Sequence, residues 1–167
     1  TRRKFLRVIG LGLAGWATST AAATFLHAAV LEPARFHVHE QSLHLPRLKG
    51  EGLRGLRIAQ ISDIHMGGWM TPARLKRVVD LVLARSPEIV VITGDFLARQ
   101  SGRDQDVPDL AAALEPLSRS VATFAVMGNH DYWRGVDPLR EMLADIHVQE
   151  LRNSVVSVKR GDSLLHL

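Results

Sequence analysis

Leu56-Arg57-Ile58-Ala59-Gln60-Ile61-Ser62-Asp63-Ile64-His65 is a short apolar run that ends in Asp-x-His, and the same grammar returns twice. Glu88-Ile89-Val90-Val91-Ile92-Thr93 runs into Gly94-Asp95, and Val121–Met127 runs into Gly128-Asn129-His130-Asp131. Apolar, β-branched runs of this length read as strands buried on both faces. Between the first two lies a helix signal over Thr71–Ala84. Thr71 stands at the N-cap and Pro72 at the first helical position. Leu75, Val78, Val79, Val82 and Leu83 fall on one helical face. Further helices are expected over Asp109–Leu117, after Pro108, and over Asp137–Leu143, with Pro138 at its start. Strand–helix–strand repetition predicts an α/β fold of parallel β-α-β units, in a sheet covered by helices on both faces.

Outside this core the signals are shorter. Phe36, Val38, Leu43 and Leu45 partly alternate with polar residues, which predicts an edge strand over Phe36–Leu45 ended by Pro46. Lys49–Gly55 is a glycine-rich turn and Ala98–Pro108 a polar loop. His147–Leu151 and Val155–Lys159 read as two more short strands, and the final residues Gly161–Leu167 also have strand character.

The chain has 167 residues, enough for one domain and a leader. Its charged fraction of 23% and apolar fraction of 46% are those of a globular protein and exclude wholesale disorder. The absence of Cys excludes disulfide scaffolds, thiolate metal sites and cysteine nucleophiles. The net charge of +4 sits entirely in Arg2, Arg3, Lys4 and Arg7; the remainder is neutral. With aromatic residues at only 5%, neither a basic nucleic-acid face nor a base-stacking platform is expected.

That basic cluster precedes 24 uncharged residues, Val8 to Leu31. As a helix at about 1.5 Å per residue they would span roughly 36 Å, enough for a bilayer core. Basic residues ahead of such a segment stay cytoplasmic and direct the rest outward. Thr1-Arg2-Arg3-Lys4-Phe5-Leu6 resembles a twin-arginine export signal, and a plain signal anchor is the alternative. Residues 1–32 are therefore expected to be a signal or membrane anchor, which makes the cytoplasmic membrane and export machinery partners of residues 1–31. The domain of residues 36–167 is then expected on the outer side of a bacterial cytoplasmic membrane.

The polar residues after the three strands carry the chemistry. In a parallel sheet all carboxyl ends lie along one edge, where ligands bind. Asp63 and His65, two apart in an extended segment, project to one side. Asp95 adds a carboxylate, Asn129 an amide oxygen and His130 an imidazole. This mixed donor set suits Zn, Mn or Fe better than an all-oxygen cage. Gly94 and Gly128 give the backbone room to turn sharply. Trp69, Tyr132 and Trp133 flank the motifs and either line an entrance or pack on the sheet edge.

Asp63-x-His65, Gly94-Asp95 and Gly128-Asn129-His130-Asp131, in this order, resemble the first three motifs of the calcineurin-like metallophosphoesterases, in an exported or membrane-associated bacterial branch. Ser62 and the later Leu151-Arg152-Asn153 are similar too, so the resemblance covers about Leu45 to Leu167. It implies a β-sandwich flanked by helices and hydrolysis of phosphomonoesters or phosphodiesters. It also implies two divalent metal ions (Mn, Fe or Zn) with a bridging hydroxide. Asp63 and His65 would bind the first metal, Asp95 would bridge, and Asn129 would bind the second. His130 would be the general acid, supported by Asp131.

The family completes its metals with three more histidines, one alone and a Gly-His-x-His pair. His147 and His166 read instead as strand residues. Four of seven ligands are thus present, and the chain reads as the first portion of a longer enzyme, with weak activity of its own. The alternatives are a non-catalytic, membrane-tethered relic and a nucleic-acid-processing enzyme; the neutral body and export-like leader argue against the latter.

Overall fold

The computed structural model describes residues 24–25, 36–46, 48, 50–99 and 105–167. The chain divides into two units, Thr1–His44 and Leu45–Leu167. The expected apolar helix of residues 8–31 lies outside the described residues except for Thr24 and Phe25. No described helix is long and apolar enough to cross a membrane. The strand expected over Phe36–Leu45 does not form. Val38, Leu43 and Leu45 are exposed, so the partial alternation has no buried face to hold it.

The second unit carries the fold. After a 3-10 turn at Glu51–Leu53 come β1 (Ile58–Ile61), α1 (Pro72–Leu83), β2 (Ile89–Ile92), α2 (Asp106–Ser120), β3 (Ala122–Ala125), α3 (Asn129–Arg134), α4 (Asp137–Asp145) and β4 (Gln149–Glu150). A hairpin of β5 (Ser157–Arg160) and β6 (Ser163–His166) follows. The main sheet is parallel with order β1-β2-β3-β4, and β5 pairs with β6 antiparallel.

That strand order determines where the helices go. Successive right-handed crossovers in one direction place every helix on the same face. Accordingly α1 packs on α2 and α2 on α4. The core joins Leu75 and Val79 of α1, Leu110, Leu114 and Leu117 of α2 and Leu139 and Leu143 of α4 to Ile61, Val90, Ile92 and Ala125 of the strands. Ile58, Gln60, Val91 and Phe124 alternate onto the opposite face, and none joins this core. The expectation of helices on both faces is thereby corrected. The hairpin is tied near the start of β2 instead: Arg160 Nε lies 2.6 Å from Glu88 Oε2, and its guanidinium donates to the Gly52 and Arg54 carbonyls.

Several element boundaries differ from the sequence reading. Thr71 caps α1, its hydroxyl accepting from the Arg74 N–H. α2 begins earlier than expected, because Pro108 lies within the first turn, where no N–H bond is needed. It also runs through Pro116, held by the burial of Leu114 and Leu117 on either side. His147 is not a strand residue: it sits at φ 60° in the turn that leaves α4, and only Gln149–Glu150 pair with β3. His166 lies in β6 as expected. Of the loop at Ala98–Pro108, residues 106–108 belong to α2 and residues 100–104 lie outside the described set.

Candidate metal centre

Beyond their last strand residues, the loops after β1 and β2 continue side by side. The Asp63 N–H donates to the Gly94 carbonyl at 3.2 Å, the His65 N–H to that of Asp95 at 2.9 Å, and the Met66 N–H to that of Phe96 at 2.8 Å. Ile64 turns into the core, 1% exposed, while Asp63 on one side of it is exposed and His65 on the other is half-buried. The segment is not extended as expected. Asp63 and His65 both adopt the left-handed conformation, φ 53° and 47°, and so does Asp95 at φ 55°. Each such non-glycine residue costs about 1–3 kcal/mol, and strain of this kind concentrates at functional sites.

Two glycines bring the third loop in. A Cβ on Gly94, at φ +91°, would lie 2.4 Å from the Gly128 nitrogen. One on Gly128 would lie 2.1 Å from Asp95 Oδ1. The loops after β2 and β3 therefore touch backbone to backbone, a closer role for these glycines than room for a sharp turn. The contact is tightened by the His130 N–H, which donates to Asp95 Oδ1 at 3.0 Å.

One ligand atom each from Asp63, His65 and Asp95 all lie within 4.8 Å of one another. His65 Nε2 is 3.5 Å from Asp63 Oδ1 and 3.9 Å from Asp95 Oδ2. Two ligands of one ion, each about 2.0–2.2 Å from it, stand roughly 3–4 Å apart, so the spacing fits a shared cation. The other carboxylate oxygens already have donors: Ser62 Oγ donates to Asp63 Oδ2, and the His130 N–H occupies Asp95 Oδ1. Asn129, the first residue of α3, is exposed on the same rim.

His130 packs between His65 and Trp133. Its ring is 4.8 Å from the His65 ring in an edge-on arrangement and 4.8 Å from the Trp133 ring. His130 Nδ1 is buried and has no hydrogen-bond partner.

The expected support of His130 by Asp131 does not form. Asp131 is 0% exposed, and its carboxylate accepts the N–H groups of Asp95, Phe96, Leu97 and Gly128 at 2.9, 2.9, 3.4 and 2.9 Å. It is a clasp between the second and third loops. As the third residue of α3, Asp131 reaches back to the Gly128 N–H that precedes the helix, as an acidic residue at that position of a capping box does. The helix itself was hidden in the sequence because only six residues form it.

Residues 56–162 match the family model described as calcineurin-like phosphoesterase. The chain is 35% identical over 116 residues to a transmembrane protein with metallophosphoesterase domain from Danio rerio, covering 67% of this chain and 25% of that one. It is 37% identical over 128 residues to UDP-2,3-diacylglucosamine pyrophosphatase LpxG of Chlamydia trachomatis serovar D, covering 74% and 38%. To the uncharacterized metallophosphoesterase YkuE of Bacillus subtilis it is 29% identical over 139 residues, covering 79% and 45%. The chain thus spans between a quarter and a half of the length of these relatives.

Proposed function

We propose, from the premise that this chain belongs to the calcineurin-like phosphoesterase family, that its rim is a metal-dependent centre for hydrolysis of phosphate esters. The observation that carries the reading is the meeting of Asp63, His65 and Asp95 from two separate loops within one cation's reach. Asp63 and His65 would hold a first divalent ion, Asp95 would serve both ions, and Asn129 would serve the second. Mn, Fe or Zn suits these donors. Such cations, when bound, supply Lewis-acid activation of water and neutralise charge on the phosphoryl group. With Nδ1 buried, Nε2 is the ring nitrogen of His130 left to pass a proton to the departing oxygen. Asp131 is a positioning residue: it fixes the Asp95 amide and the start of α3, and so the angle at which Asp95 and His130 meet.

The test is metal titration with hydrolysis of p-nitrophenyl phosphate and its bis-ester, in the wild type and in Asp95→Asn. Metal-stimulated turnover that chelation abolishes and Asp95→Asn lowers at least about a thousand-fold is expected. Turnover indifferent to both would overturn the reading.

We also propose that the basic cluster Arg2-Arg3-Lys4 and the uncharged stretch behind it export or anchor the chain, with the rim outside the cytoplasmic membrane. Replacing Arg2 and Arg3 by Lys should abolish export of a fused reporter if the twin-arginine route is used. Unchanged export would point to a plain signal anchor, and a reporter retained in the cytoplasm by the unaltered chain would contradict export altogether.

A further inference from the structure

A row of rings leads away from the carboxylates. His65 touches His130, His130 touches Trp133, and the Arg99 guanidinium lies over the Trp133 indole, 5.9 Å from its centre. Arg134 follows Trp133 in α3, and its Nη1 donates to the Arg99 carbonyl at 3.2 Å, so the loop that carries Arg99 is fixed to α3. Arg99, Trp133 and Arg134 line one open cavity of about 790 Å³. Trp133 is 65% exposed there. Among the described residues, no carboxylate pairs with either guanidinium.

An exposed indole beside two guanidiniums that no described carboxylate pairs has the chemistry to hold an anion attached to a flat or apolar group. Their position assigns the anion. His130 is the proton donor to the departing oxygen in the reading above, and this inference rests on that reading. Whatever that oxygen carries away therefore lies on the His130 side, which is the side of Trp133. We propose that Arg99, Trp133 and Arg134 form a leaving-group subsite. It selects phosphoesters whose departing portion bears its own phosphate joined to a planar or apolar body, with the guanidiniums on the phosphate and the indole against the body.

Calorimetric titration of the full chain in a chelator, with adenosine 5′-diphosphate, adenosine and inorganic phosphate as probes, tests the subsite without turnover. The diphosphate should bind at least about ten-fold more tightly than either part alone. The double variant Arg99→Ala/Arg134→Ala should weaken the diphosphate about ten-fold or more and adenosine little, and Trp133→Ala should weaken both. Arg99 and Arg134 are exposed and Trp133 largely so, so these variants should fold. No measurable diphosphate binding, or equal binding by the wild type and the double variant, would overturn the proposal. Asp95→Asn separates the two readings. It should retain diphosphate binding in chelator while losing metal-stimulated hydrolysis; retained hydrolysis would sink the metal centre and leave the binding result intact.

Discussion

The rim at the carboxyl ends of the strands and the helix-packed face beneath it obey opposite rules. The packed face is regular: α1, α2 and α4 present leucines and valines at helical spacing to Ile61, Val90 and Ile92, and none of these residues has a positive φ. The rim is irregular: three polar residues hold left-handed backbones, two glycines stand where no Cβ fits, and a carboxylate is fully buried. The packed face supplies stability, and the rim consumes some of it to fix three donors in place.

The rim itself divides in two, and substitutions can separate the parts. Asp63 and Asp95 leave an oxygen free toward His65, whereas Asp131 has no free oxygen and holds the loops. Asp95→Asn should cost the most in function, at least about a thousand-fold in hydrolysis, with little loss of thermal stability. If the variant unfolds instead, Asp95 belongs with Asp131 and the division fails. Asp131→Ala should cost the most in stability. It strands several buried N–H groups that now meet a carboxylate, and a loss of about 3–5 kcal/mol is expected in denaturant unfolding. A near-neutral result would mean that the clasp is not needed.

On the packed face, Leu114→Ala removes a fully buried side chain at the centre of α2 and should cost about 2–5 kcal/mol, with metal affinity of the surviving folded protein unchanged. A change in metal affinity would show that rim and core are coupled. The smallest effect belongs to the hairpin anchor. The Arg160 hydrogen bond holds the Glu88 carboxyl below its usual range, against the opposing effect of burial. Because the folded value is depressed, the pair stabilises fully above the ordinary glutamate range and loses that contribution as pH falls through the lower, folded value. Both partners are about one third exposed, so Glu88→Gln, which leaves Arg160 its bonds to the Gly52 and Arg54 carbonyls, should cost at most about 1 kcal/mol at neutral pH, and the difference from wild type should vanish in acid. A difference that persists in acid would remove the ion pair from the account.

How much of this was legible in the sequence follows the same divide. The core strands and α1 declared themselves, because β-branched runs and a Thr-Pro cap are local signals. So did the residues of the three motifs, whose position after successive strands brings them to one edge. The single-sided helix layer was also implicit in β1-β2-β3-β4 order, but only once that order was known, since pairing is set by contacts far apart in the chain. The role of Asp131 differs from what the family resemblance implies, a carboxylate partner for His130. Its real partners, the amides of Asp95, Phe96 and Leu97, lie more than thirty residues away. The failed strand at Phe36–Leu45 shows the converse: partial alternation predicts nothing without a surface to cover it. Arg99 carried no motif at all, and only the meeting of its loop with α3 revealed it.

The most direct measurement is anomalous diffraction from crystals soaked in Mn²⁺. A peak within about 2.0–2.3 Å of a carboxylate oxygen of Asp63, of His65 Nε2 and of a carboxylate oxygen of Asp95 is the expected result. Manganese bound elsewhere, or no peak in this position from a preparation that hydrolyses phosphate esters, would contradict a metal centre built from these three residues.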